Sequence, residues 1–182
     1  MSTYERIADL PLEIEGYALD GLAKTVSSGF ERHTTVIRLQ GGGQEGLGED
    51  VTYETGDQTA QQQHGPVLPL AGRWTVASFS AHLGNLDTFP AGAPKMPVYR
   101  NYRRWGFESA ALDLALRQAG RSLADVLERE PRPVTFVVSS RMGEPPTLAA
   151  VTRRLARYPD LRFKLDGTPD WDDELIAGLV ET

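Results

Sequence analysis

Leu161-Arg162-Phe163-Lys164-Leu165-Asp166, within the segment Arg132 to Thr182, is the stretch on which the fold turns. It is the second of two short apolar runs; the first is Val134-Thr135-Phe136-Val137-Val138. Each run is followed by turn residues and then by a helical pattern, the alternation that marks βα units and a parallel sheet. With a side-chain period of two, Phe163 and Leu165 share one face of the second strand, and Lys164 and Asp166 share the other. Parallel strands are normally buried on both faces, so two charges near the strand's carboxyl end call for a reason. One reason is a site, because this end is where a (β/α) barrel or an open α/β sheet keeps its chemistry. The other is an edge strand whose charges discourage mispairing. The residue pattern leaves both open.

The flanking helices follow the same logic. Thr147 is placed to cap the first, which carries Leu148, Val151 and Leu155 on one stripe. The second follows Asp170, with Asp172 and Asp173 in its first turn and Leu175, Ile176 and Leu179 behind them. Aspartates suit the positive end of a helix without any catalytic role. Two βα units leave an exposed edge and too small a sheet to cover their helices. Pro131 and Pro133 mark a boundary, giving domains 1–131 and 132–182.

Upstream, Leu12 and Ile14 alternate with Glu13 and Glu15, and Tyr17 and Leu19 resume the alternation out of phase, predicting one half-buried strand with a bulge at Gly16. Asp20 to His33 reads as a long loop of small and polar residues leading to Phe30. Thr34 to Leu39 and Glu45 to Thr52 predict a hairpin turned by Gly41-Gly42-Gly43. No lysine with serine or threonine follows those glycines, so a phosphate loop is not indicated. Thr55 to Gly65, polar and rich in glutamine, reads as a surface connection. Thr75 caps a helix with Val76, Phe79, Leu83 and Leu86 on one face, which leaves His82 on its surface. Tyr99 to Gly120 is the longest helical pattern, with Phe107, Ala111, Leu114 and Ala115 forming a stripe that admits close packing. Tyr102 and Trp105 read as core or interface residues. Ser122 and Asp125 resemble a capping box for a short helix ending at Leu127.

Composition narrows the function. With 182 residues, 40% hydrophobic and 24% charged, the chain has the make-up of a globular protein. A net charge of -6 gives no broad basic footprint for nucleic acid or anionic membrane. Basic clusters remain at Arg100 to Arg104 and at Arg153, Arg154 and Arg157. The absence of cysteine removes disulfides, thiolate chemistry and zinc ribbons, and His33, His64 and His82 lack ligand spacing. A metal would be held mainly by oxygen ligands. Met1 to Leu10 lacks the apolar core of a signal peptide and no run reaches membrane-spanning length, so a cytoplasmic location is expected.

Taken together, the order of parts resembles the enolase superfamily, in the branch around muconate-lactonizing enzyme, mandelate racemase and o-succinylbenzoate synthase. The residues that carry the resemblance are the meander at Leu12 to Thr52, Trp105-Gly106-Phe107-Glu108-Ser109-Ala110-Ala111-Leu112-Asp113-Leu114-Ala115, Ser122-Leu123-Ala124-Asp125-Val126-Leu127, and the two βα units. The resemblance implies an α+β capping domain, a three-stranded antiparallel meander plus helices, followed by two βα units of an incomplete (β/α) barrel. It also implies proton abstraction next to a carboxylate, with Mg²⁺ holding the enolate in the complete enzyme. Lys164 matches the first lysine of the family's Lys-x-Lys motif, a partner for the substrate carboxylate, and Asp166 stands where the base would be. A carboxylate there can act as base or pair with Lys164. The loop before His33, with Ser28, Gly29 and Phe30, would contact a small carboxylate substrate.

The family's metal ligands come from barrel strands this chain lacks, so the resemblance implies no cofactor held here and no catalysis by this chain alone. The expectation is thus the N-terminal segment of a metal-dependent lyase, racemase or cycloisomerase. The alternative is a non-enzymatic module that binds a protein partner through the open sheet or the alanine-rich helix. The incomplete barrel separately predicts a chain that self-associates through its C-terminal half or is less well ordered there than in the capping domain.

Overall fold

The computed structural model describes residues 2–26 and 29–182. Two compact units divide the chain, Met1–Glu130 and Pro131–Thr182. The first contains α1 (Thr3–Ile7), β1 (Pro11–Ile14), β2 (Gly16–Thr25), β3 (Glu31–Gly41), β4 (Gln44–Asp50), α2 (Thr55–His64), β5 (Gly72–Thr75), α3 (Val76–Gly84), α4 (Tyr99–Gln118) and α5 (Leu123–Leu127). Strands β2, β3 and β4 form an antiparallel meander, and β1 pairs with β5 in a separate antiparallel ribbon.

The expected single strand from Pro11 to Leu19 is therefore two strands in two sheets. Glu15 N–H still bonds to the Gln40 carbonyl at 2.7 Å, while β1 turns away to β5. Most of the expected loop from Asp20 to His33 is also strand: β2 and β3 stay paired from Asp20 opposite Val36 to Thr25 opposite Glu31. The outer half of β2 is exposed on both faces, so it carries no apolar alternation to betray it, and the backbone ladder to β3 organises it. At the other end of β3, Gly42 and Gly43 have φ of 56° and 71° and close the two-residue turn between Gly41 and Gln44. That geometry needs two positive φ values, which glycine supplies without steric cost.

Helix α4 lies on the meander at backbone contact distance. A Cβ on Gly48 would fall 2.1 Å from the Gly106 carbonyl oxygen, and one on Gly46 would fall 2.3 Å from the Leu114 nitrogen. Phe107, Ala110, Ala111, Leu114 and Ala115 of α4 are buried with Leu12, Ile14, Ile37, Leu39, Phe79 and Leu83 in one core. The alanine-rich face is thus spent inside the unit. Trp105, expected in the core or an interface, stands exposed on the outer side of the helix.

Polar groups complete this core. Arg103 and Asp50 are both fully buried and joined by an Nε to Oδ2 bond of 2.7 Å. Arg103 also donates to the carbonyls of Thr88 and Asp57, and its guanidinium lies 3.6 Å from the Phe89 ring centroid. Burial pushes the guanidinium below its ordinary pKa, and Asp50 opposes that shift. The glutamine-rich segment, expected as a surface connection, is helix α2. Buried Gln58 accepts from Thr35 Oγ1 at 2.6 Å and donates to the carbonyls of Asp50 and Thr52. A polar helix packs here because its amides satisfy strand groups that water cannot reach.

The second unit contains β6 (Val137–Ser140), α6 (Ala149–Leu155), β7 (Arg162–Leu165) and α7 (Asp173–Glu181), with β6 and β7 parallel. β6 begins three residues later than the expected start at Val134, because β7 starts opposite Val137 and offers Val134 to Phe136 no ladder partner. Thr147 does not cap α6; the N-cap position is Leu148, and Thr147 N–H instead bonds to the Met142 carbonyl.

Gly48→Ala is expected to lose about 1–3 kcal/mol in urea denaturation, because the added methyl meets backbone that cannot step aside. Arg103→Met is expected to lose about 3–5 kcal/mol, since it strands the Asp50 carboxylate in a dry core.

Candidate functional site

The parallel pair places chemistry at two surfaces of the second unit, a sheet face and a cleft. In register, Val137 lies beside Arg162, Val138 beside Phe163, Ser139 beside Lys164 and Ser140 beside Leu165. Phe163 and Leu165 turn inward and pack with Met142, Val151 and Leu175 beneath α6 and α7. Val137, Ser139, Arg162 and Lys164 turn outward and are exposed. Of the two sheet edges, that of β7 carries Arg162, Lys164 and Asp166. The edge of β6 and the segment leading into it have no charge from Val134 to Ser140, and Val134 is 69% exposed, Phe136 80% and Val137 54%.

At the carboxyl ends of both strands, the loops into α6 and α7 enclose a cleft of about 540 Å³, lined by Arg141, Met142, Glu144, Asp166, Asp170 and Trp171 among others. Met142 is buried and anchors the first loop. Asp172 accepts from Leu175 N–H at 2.8 Å, which fixes the start of α7 and with it the second loop. Half-buried Trp171 packs against the small core, and its backbone N–H donates to the Thr168 carbonyl.

Lys164 and Asp166 are brought together, Nζ to Oδ1 at 2.6 Å, and both side chains are largely exposed. The Lys164 ammonium holds Asp166 below the usual carboxylate range, and Arg141 adds a smaller pull. A carboxylate so placed is a weaker base than a free aspartate. Ser28 lies outside the described residues. Gly29 and Phe30 sit at the tip of the β2–β3 hairpin, where Gly29 has φ 79° and Phe30 stacks on Tyr53 at 5.6 Å between ring centroids. Among the described residues, no group of three or more histidine, aspartate or glutamate side chains could hold a metal ion. No helix among them is long and apolar enough to cross a membrane.

Arg141, Glu144, Asp170 and Trp171 were not singled out from the sequence as site residues. Their signal was positional, since each follows a short β run and precedes a helix, where a parallel sheet gathers its loops.

Fold and site define a two-unit α+β protein: a helix-backed antiparallel meander, and a small βαβα unit with its polar loops at the carboxyl ends of its strands. The chain belongs to the family described as the domain of unknown function DUF8230, matching its N-terminal domain over residues 5–126 and its C-terminal domain over residues 130–182. No curated protein matches the chain. The two family matches span both units and are not to an enolase-superfamily family, which corrects the resemblance drawn from the sequence. Its motif residues have structural work instead: Gly106, Ala110 and Leu114 meet β4, and Ser122 and Asp125 form a capping box on α5.

In an NMR pH titration, Asp166 is expected to titrate below the ordinary aspartate value, and Lys164→Gln to return it toward that value. Because the folded-state value is depressed, any stability from the pair is present above the ordinary value and lost as pH falls through the lowered one.

Proposed function

We propose that this chain is an interaction module that associates with a second copy of itself through the β6 edge and bare sheet face of its C-terminal unit. The observation that carries this reading is the uncharged β6 edge, Val137–Ser140, unpaired on its outer side among the described residues, with the apolar residues leading into it also exposed, Phe136 to 80%. Natural edge strands are normally blunted by charge, proline or a bulge within them. β6 is short, at four residues, but has no charge or proline from Val134 onward, whereas the β7 edge is charged. Two antiparallel β6 edges related by a twofold axis would form the order β7-β6-β6′-β7′, a sheet of ordinary size with a self-complementary neutral seam. A neutral seam offers nothing to steer a charged partner, which favours an identical edge as occupant.

The alanine-rich helix is not the docking surface, because its small residues are consumed by the packing of α4 on β4. Magnesium-assisted proton abstraction was implied by the superfamily resemblance, and without that family it has no independent support. Lys164 and Asp166 are better read as the charged guard of the β7 edge, as one of the two sequence readings held.

Sedimentation of the full chain is expected to show a concentration-dependent dimer. Phe136→Asp should shift it to monomer while the circular dichroism of the fold is kept. A wild-type chain that is monomeric up to about 100 µM, or a dimer that survives the Phe136→Asp substitution, would overturn the proposal.

A further inference from the structure

We infer that the cleft at the carboxyl ends of β6 and β7 binds a small zwitterion, a free α-amino acid with an apolar or aromatic side chain. Its carboxylate would meet Arg141, its ammonium Glu144 and Asp170, and its side chain Trp171.

The cleft, at about 540 Å³, is of the size that takes small molecules. What separates it from an ordinary solvated loop cluster is that three of its four charges, Arg141, Glu144 and Asp170, stand outside any ion pair, the fourth, Asp166, being held by Lys164. Among the described residues, the side chains of Arg141, Glu144 and Asp170 make no hydrogen bond or ion pair of the kind that occupies Lys164 and Asp166. Both signs of charge therefore stand available in one concavity, together with an indole that packs against the small core.

Ligand chemistry follows from that balance. With Asp166 paired to Lys164, two carboxylates, Glu144 and Asp170, stand against one guanidinium, Arg141, so a phosphate or dicarboxylate is disfavoured. A simple cation leaves Arg141 unanswered. A metal ion is not served either, since the acidic groups do not converge into a ligand set among the described residues. A molecule with one carboxylate and one ammonium satisfies both halves by charge-assisted hydrogen bonds. The exposed face of Trp171 adds an apolar platform, which also attracts the ligand's cationic group. Position supports the same conclusion: ligands of parallel α/β sheets bind in the crevice beyond the carboxyl ends of the strands.

The test uses the full chain and three matched probes: L-phenylalanine, 3-phenylpropionate, which lacks the ammonium, and 2-phenylethylamine, which lacks the carboxylate. The readout is the Trp171 indole N–H signal in NMR, assigned by its loss in Trp171→Phe, with the Trp74 and Trp105 signals as controls for folding. Phenylalanine is expected to shift the Trp171 signal saturably, with either half-molecule binding about tenfold or more weakly, the loss of one charge-assisted contact. Arg141→Gln should abolish the advantage of phenylalanine over the amine, and Glu144→Gln/Asp170→Asn its advantage over the acid. No saturable shift up to about 10 mM, equal affinity for a half-molecule, or binding unchanged in both variants would overturn the inference.

Discussion

Everything in the first unit depends on how closely α4 can approach β4. Side chains normally hold the backbones of packed layers apart, but here Gly46 and Gly48 remove Cβ from the strand and Gly106 removes it from the helix. The backbones come within van der Waals contact, and Ala110 and Ala111 fill what little room is left. Larger residues flank this seam on every side, Phe107 and Leu114 on the helix and Ile37 and Leu39 on β3, so the glycines define the distance and the flanking residues supply the apolar burial. Gln118 extends the same logic to the end of α4. Its amide exchanges bonds with the Glu13 backbone and donates to the Gly41 carbonyl, tying β1 and β3 to the helix.

A helix held that close brings polar groups inside with it. Arg103 lies on the same stripe as Tyr99 and Phe107, so its guanidinium enters the core, where Asp50 at the end of β4 meets it. The carboxylate is occupied on both oxygens, by Arg103 and by the Thr52 N–H, which closes the chain where it leaves the sheet. Gln58 then covers the carbonyls of Asp50 and Thr52. One buried charge pair thus sets the place of α2, the exit of β4 and the orientation of α4. A network of this kind favours a single arrangement, because any slip would strand an ion in a dry interior.

The second unit has no comparable anchor. Its core rests on Met142, Val151 and Leu175 with half-buried neighbours, and helices cover only one face of its two strands. The same lopsidedness produces both surfaces on which the functional readings stand: an apolar edge that has nothing in its own unit to pair with, and loops at the strand ends that carry charge into a concavity. The membership in DUF8230 covers this unit separately from the first, consistent with each unit having its own core.

Local chemistry was legible in the residues. Thr75 and Ser122 cap their helices as their types and spacing require, the glycines after β3 make the turn, and Phe163 and Leu165 face inward while Lys164 faces out. These features depend on periods of 2 and 3.6 and on capping bonds formed within three or four residues. What the sequence did not disclose were the relations between distant segments. The outer arm of β2 exists because β3 pairs with it, and α2 packs because strand carbonyls need its amides. Arg103 stood in an apparent basic cluster, yet its place on the helix stripe carried it inward to a partner 53 residues away. The superfamily resemblance failed for a related reason: small residues and capping boxes answer to packing distance and helix ends, which many unrelated folds share. Sequence determined which way each short element turns its side chains, because that is set by backbone geometry within a few residues. Tertiary structure decided which polar groups are buried and which charges remain available to a ligand, because both depend on neighbours brought together only when the chain has folded.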